Sequence, residues 1–199
     1  MKSFEYQFVE YELLDDNLGK IYHTSNPGEH FKKIIYINNS SLTVLLYCDE
    51  TKDKKLIAQN LYHLFVTYKQ YINILCPALT HVYIKDNMVY GYKTTFGSKI
   101  TDGQFRNYMR NNKDFLIDFL HKSNYYYNDL KTFNFIKLKD GSISLIDLDS
   151  FRYVYPLQIP NFCYIPKHNF NIIKYYVKET TIISKCGKYK HCSKIYDIW

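Results

Sequence analysis

The sequence predicts an α+β fold in two lobes, β-rich over residues 1–95 and mainly helical over 96–199. Three observations carry that expectation. Short strand-like runs separated by turn-forming clusters fill the first half. One helical stripe interrupts them and a further strand pair follows it. Two amphipathic helical segments then open the second half.

Taken in order, residues 5–14, 19–23, 31–37 and 42–47 read as strands, divided by Asp-Asn, Asn-Pro-Gly and Asn-Ser turn clusters. A helix over 54–70 follows, because Ile57, Leu61, Leu64, Phe65 and Tyr68 recur at helical spacing and form one apolar stripe. A hairpin over 81–92 turns at Lys85-Asp86-Asn87, and 93–102, with Gly97 and Gly103, reads as a hinge. Asp102 is placed to cap a helix carrying Phe105, Tyr108 and Met109. A second helix holds Phe115, Leu116, Phe119 and Leu120 and ends near Ser123-Asn124.

At 199 residues the chain suits one domain or two small lobes, and 46% apolar with 18% aromatic content is ample for a core. Five cysteines without a CxxC pair fit reduced thiols better than disulfides or zinc. The N-terminal segment is charged every few residues, so it reads as neither signal peptide nor anchor. No run approaches the roughly 20 apolar residues of a membrane span, and a soluble, cytoplasmic protein is expected. The net charge of +7 is uneven: between Lys167 and Lys194 seven lysines face Glu179 alone. That stretch reads either as a solvated face or as a patch for an acidic partner. Binding of nucleic acid on charge alone is unlikely.

The chemistry concentrates between Asp129 and Asp147. Asp129 is followed by Asn134, then by a hairpin, and the hairpin's return strand ends at Asp147. Phe135, Ile136 and Leu138 form the first strand, Asp140-Gly141 the turn, and Ile143, Leu145 and Ile146 the second. The turn returns Asp147 to the side of Asn134, so the two can share one cation. Phosphoryl transfer needs a carboxylate to position the acceptor hydroxyl, and metal ions held against the phosphates by Asn and Asp oxygens. Magnesium takes oxygen ligands and usually only one or two carboxylates from protein.

This segment resembles the catalytic loop and metal-binding strand of the protein kinase superfamily. The positions of His-Arg-Asp-Leu-Lys-x-x-Asn are filled here by Tyr127-Asn128-Asp129-Leu130-Lys131-Thr132-Phe133-Asn134, and those of Asp-Phe-Gly by Asp147-Leu148-Asp149. The resemblance implies a two-lobed protein kinase-like fold with a shortened helical lobe, and ATP and Mg2+ as cofactors. It also implies Asp129 as catalytic base, Lys131 as γ-phosphate contact, and Asn134 and Asp147 as metal ligands. Tyr127-Asn128 in place of His-Arg is similar to the choline-kinase and aminoglycoside-phosphotransferase branch. Asn134-Phe135 and 147–150 look more like divergent kinase-like families of the secretory pathway. Past Phe151 the resemblance fades: Ala-Pro-Glu is missing, and the terminal Tyr196-Asp197-Ile198-Trp199 resembles the Asp-x-Trp opening of a kinase helix.

The nucleotide-holding half of such a site admits two registers. In one, residues 17–22 with Gly19 close the phosphate-covering loop, and the strand over 31–35 brings Lys32 and Lys33 to the phosphates. In the other, 25–30 is the loop and 42–47 is the lysine strand, which then carries no lysine. The helix over 54–70 offers Gln59 and Gln70 but no Glu as the lysine's partner, so the ammonium must lean on phosphate or on Asp147. Both lysines read more readily as exposed strand ends than as ligands. The leading expectation is a serine/threonine protein kinase, because Lys131 follows Asp129-Leu130 directly. The alternatives are a pseudokinase that binds a protein partner and a small-molecule kinase.

Overall fold

The computed structural model describes residues 5–14, 18–24, 32–47, 52–127 and 130–153. It is a mixed α+β structure whose largest part is a six-stranded sheet. The strands are β1 (Gln7–Glu10), β2 (Lys20–Thr24), β3 (Lys32–Ile37), β4 (Ser41–Tyr47), β5 (Leu79–Lys85) and β6 (Met88–Thr95), in the spatial order β1-β5-β6-β4-β3-β2. The first half and the 81–92 hairpin therefore join one sheet. All pairings are antiparallel except β1 with β5.

The chain forms two compact units. Among the described residues, one comprises those up to Ile100 together with Phe133–Asp149; the other comprises those from Thr101 to Thr132 and Ser150–Tyr153. In the first unit β4 is central and buried at four consecutive positions, Thr43 to Leu46, as expected of a strand covered on both faces. Helix α1 (Lys52–Thr67) packs on β6 and buries Ala58, Leu61, Leu64 and Phe65. Of the stripe read from the sequence, Leu61, Leu64 and Phe65 are buried, whereas Ile57 and Tyr68 are half-buried. Each of these buried Leu and Phe side chains contributes roughly 1.5–3 kcal/mol by leaving water. The helix breaks at Tyr68 (φ −112°, ψ 32°), and a shorter helix, α2 (Lys69–Leu75), follows. The strand expected over 5–14 is shorter than its pattern. It gives way at Tyr11–Leu13 to a 3-10 turn, where the Tyr11 ring lies 5.1 Å from that of Tyr90.

The hinge expected over 93–102 is mostly strand. Strand β6 runs on to Thr95, and β7 (Ser98–Lys99) pairs with β9 (Phe135–Lys137), which pairs in turn with β10 (Ile143–Leu145). Gly97 allows this, since a Cβ there would lie 2.6 Å from the Lys137 carbonyl oxygen. In the second unit, helices α3 (Asp102–Asn111) and α4 (Lys113–Ser123) precede β8 (Tyr125–Tyr127), which pairs with β11 (Phe151–Tyr153). The cap of α3 is Thr101, not Asp102. Its hydroxyl accepts from the Gln104 N–H while Gln104 Oε1 accepts from the Thr101 N–H, a reciprocal box that leaves Asp102 inside the first turn. The rings of Phe119 and Tyr127 meet Phe151 edge-on at 6.1 and 5.2 Å.

One titration is built into the sheet. The His81 ring on β5 lies 3.0 Å from the Thr80 hydroxyl, and burial, reinforced by the Lys93 charge, holds its pKa below the usual imidazole value. Folding therefore disfavours its protonation. The stability it contributes is complete above about pH 6.5, its unfolded pKa, and is lost as pH falls through the lower folded value. In urea denaturation the wild type is expected to lose more stability between pH 7 and pH 5 than His81→Asn. Parallel losses would show that His81 does not drive the acid side.

Candidate functional site

The hairpin is built by a local rule. Leu138 accepts from the Gly141 N–H at 3.0 Å and donates its own N–H to the Ser142 carbonyl at 2.8 Å, with Gly141 at φ +88°. This three-residue connection ends in a left-handed glycine. Asp140 fixes it by accepting from the Ser142 N–H and hydroxyl at 2.9 and 2.6 Å. The register pairs Leu145 with Phe135, and one step further the Ile146 N–H donates to the Asn134 carbonyl at 3.0 Å. Asp147 is the next residue. Ser144, fully buried, accepts from the Ala78 N–H at 3.0 Å and so ties β10 to the entry of β5.

The lysine arrives from the sheet. Side chains alternate along a strand, so Lys33 and Ile35 share one face of β3. Opposite Ile35 is Val44, and opposite Val44 is Tyr92 on β6. On that face Lys33 Nζ lies 2.8 Å from Asp147 Oδ1 and 2.8 Å from Asp149 Oδ2. Asp149 Oδ1 accepts from the Tyr92 hydroxyl at 3.0 Å. The order is thus Tyr92, Asp149, Lys33, Asp147. Burial pulls the ammonium's pKa down, but the charges of Asp149 and then Asp147, with hydrogen bonds to both, outweigh it and hold it well above the usual lysine range. Tyr92 is buried beside the same carboxylates, and its phenol is held protonated far above the usual value, first by burial and then by Asp149.

Lys33, Asn134 and Asp147 line one cavity of about 260 Å³. Ile35, Leu42, Val44, Ile136 and Ile146 give it apolar walls, and the Thr94–Gly97 stretch completes it. An apolar slot bearing a few convergent polar groups has the general form of a small-molecule site. Asp147 and Asn134 bring a carboxylate and a side-chain amide to this cavity, oxygen donors of the kind that would suit magnesium. Among the described residues no three His, Cys, Asp or Glu side chains gather into a metal-holding group.

Strands β2 and β3 lie on either side of residues 25–31 in the chain, β4 precedes α1, and the lysine that meets Asp147 comes from β3. Lys33 is no exposed strand end, its side chain being 16% exposed. Gln59 and Gln70 are exposed, and the second carboxylate on Lys33 is that of Asp149. The Lys32 side chain lies outside the described residues, as do residues 25–31 and Asp129. Gly19 (φ +93°) sits at the start of β2 in close contact with Ile37, where a Cβ would lie 2.2 Å from the Ile37 carbonyl oxygen; it does not line the cavity. Lys131 is exposed and belongs to the second unit, in which its neighbour Thr132 donates to Asp102 Oδ1 at 2.6 Å. The basic stretch over 167–194, the cysteines other than Cys76 and the terminal Asp-x-Trp are outside the described residues.

Sequence reasoning did not single out Asp149 or Tyr92. The signal for the first was the repeated acid in Asp147-Leu148-Asp149, and for the second the alternation along β6 that puts Tyr92 on the Val44 face. No protein-family model and no curated protein sequence matches the chain.

Proposed function

We propose that the chain is an ATP- and magnesium-dependent phosphotransferase of two-lobed, protein kinase-like build that acts on a protein hydroxyl. The observation that carries this reading is the bond between Lys33 and Asp147, beside Asn134, in the wall of one apolar cavity. The cavity walls take the base, and Lys33 meets the phosphates. Asn134 and Asp147 would hold the metal, which when bound supplies charge neutralisation at the phosphates. Asp129 orients the acceptor hydroxyl and Lys131 contacts the transferred group, roles that rest on the resemblance of 127–134 to a kinase catalytic loop. The Asp-Leu-Lys order favours a protein acceptor over a small molecule. The lysine-rich stretch over 167–194 suits an acidic segment of that protein.

A pseudokinase is the second reading. It is favoured by Lys33 being held by two carboxylates, an arrangement that is satisfied without nucleotide. The two separate in a radiolabelled-ATP assay on a generic protein substrate, paired with a pull-down. The enzyme reading expects transfer by the wild type, and Asp129→Asn that still binds nucleotide while transfer falls at least about a hundredfold, the lower bound for losing general-base assistance. No transfer by the wild type, with partner binding indifferent to Asp129→Asn and Asp147→Asn, would make it a binding module.

A further inference from the structure

We infer that Asp149, oriented by Tyr92, is the positioning residue that aims Lys33 at the nucleotide phosphates and keeps hold of it when Asp147 turns to the metal. The inference rests on the phosphotransferase reading and assigns the role that the helix carboxylate leaves open.

The two carboxylates on Lys33 are not equivalent. Asp147 lines the cavity and its side chain is 24% exposed, so a cation arriving with nucleotide can reach it. The Asp149 side chain is 5% exposed and both its oxygens have separate donors: Oδ1 takes the Tyr92 hydroxyl and Oδ2 takes Lys33. Two donors on two oxygens fix the plane of a carboxylate, where one would leave it free to rotate. Towards Asp149 the Tyr92 hydroxyl is the donor, because burial keeps the phenol protonated and an ionised carboxylate only accepts. The exposed member is the one a divalent cation can reach, which leaves Lys33 to the buried one. A lysine that lost Asp147 to the metal would otherwise be a part-buried charge with no fixed anion, which is costly.

The test reads the lysine itself. Acylation of Lys33 by acetic anhydride at pH 8 is followed by peptide mass spectrometry, with the surface residue Lys99 as internal control. A lysine ammonium no longer clamped by Asp149 has lost a charge-assisted hydrogen bond and is more open to the reagent, so its labelling rises. Asp149→Asn is expected to label Lys33 about tenfold faster with Lys99 unchanged. Tyr92→Phe, which deletes one hydroxyl and keeps the packing, is expected to raise labelling severalfold and decides the matter if Asp149→Asn does not fold. In the same preparations the KM for ATP should rise about tenfold to a hundredfold, the range for removing a residue that orients a ligand, with the larger effect in Asp149→Asn. Unchanged Lys33 labelling in folded variants would overturn the inference whatever the ATP kinetics. Faster labelling in a protein whose wild type neither binds nor turns over ATP would instead overturn the phosphotransferase reading, and with it the phosphate role of Asp149.

Discussion

Asp147→Asn is expected to abolish magnesium-dependent phosphoryl transfer, by roughly a thousandfold or more, while leaving the fold intact. The two halves of that result have different causes. Activity is lost because a neutral amide is a far weaker magnesium ligand than a carboxylate, and Asn134 alone cannot hold the ion. The fold survives because Lys33 keeps Asp149 at 2.8 Å, and the new amide oxygen can still accept from the ammonium. Thermal denaturation should therefore place the variant within about 1 kcal/mol of wild type, like a substitution that leaves no buried group unpaired. A variant that unfolds, or one that keeps its magnesium-dependent activity, would show that Asp147 is a structural residue and not a ligand.

Lys33→Met should fail in the opposite way, in stability as well as chemistry. It removes the ammonium from between two carboxylates and leaves the buried Asp149 without the Lys33 charge. Breaking a fully buried pair costs about 3–5 kcal/mol. Asp147 is a quarter exposed, so about 2–4 kcal/mol is the expected loss at neutral pH. The loss should depend on pH with a definite sign. Without the lysine, mutual repulsion and burial raise a carboxylate pKa above its unfolded value, so the folded variant prefers the protonated acid. Its stability deficit is then largest above that raised pKa and shrinks as the pH falls towards the unfolded value near 4. Urea denaturation at pH 7.5 and pH 5 measures it, and an equal deficit at both would mean that packing, not charge, ties Lys33 into the fold. Where the variant stays folded, loss of a preorganised phosphate contact should lower kcat/KM by about a hundredfold to a thousandfold.

How much of this was legible in the sequence follows from the range of the forces involved. The hairpin was, because a left-handed glycine flanked by alternating apolar residues encodes its turn and register locally. So was the stripe of α1, and the adjacency of Asn134 to Asp147 followed from counting along two paired strands. The lysine was legible only in part: leaning on Asp147 was one of the two options the sequence left it, and the contact itself depends on which strand lies against which. Two registers were consistent with local pattern, and only the order β6-β4-β3-β2 puts Lys33 on the same face as Val44 and Tyr92. Asp149 was hidden for the same reason. Its partners are separated from it by 57 and 116 positions in the chain, at Tyr92 and Lys33. The misplaced cap of α3 was a local error: Thr101 and Asp102 are both capping residues, and the Gln104 side chain, three positions past Thr101, selects the first.

The central claim is that the Lys33–Asp147–Asn134 cavity holds a nucleotide together with magnesium. It is tested most directly by thermal denaturation of the wild type with ATP, with and without magnesium, alongside Asp147→Asn. Binding to the folded state alone predicts stabilisation of about 2.7 kcal/mol at a hundredfold excess over the dissociation constant. With magnesium the wild type should show that rise, and Asp147→Asn should show only the smaller shift that ATP gives without the metal. No shift in the wild type with magnesium and ATP, or an equal shift in the two proteins, would contradict it.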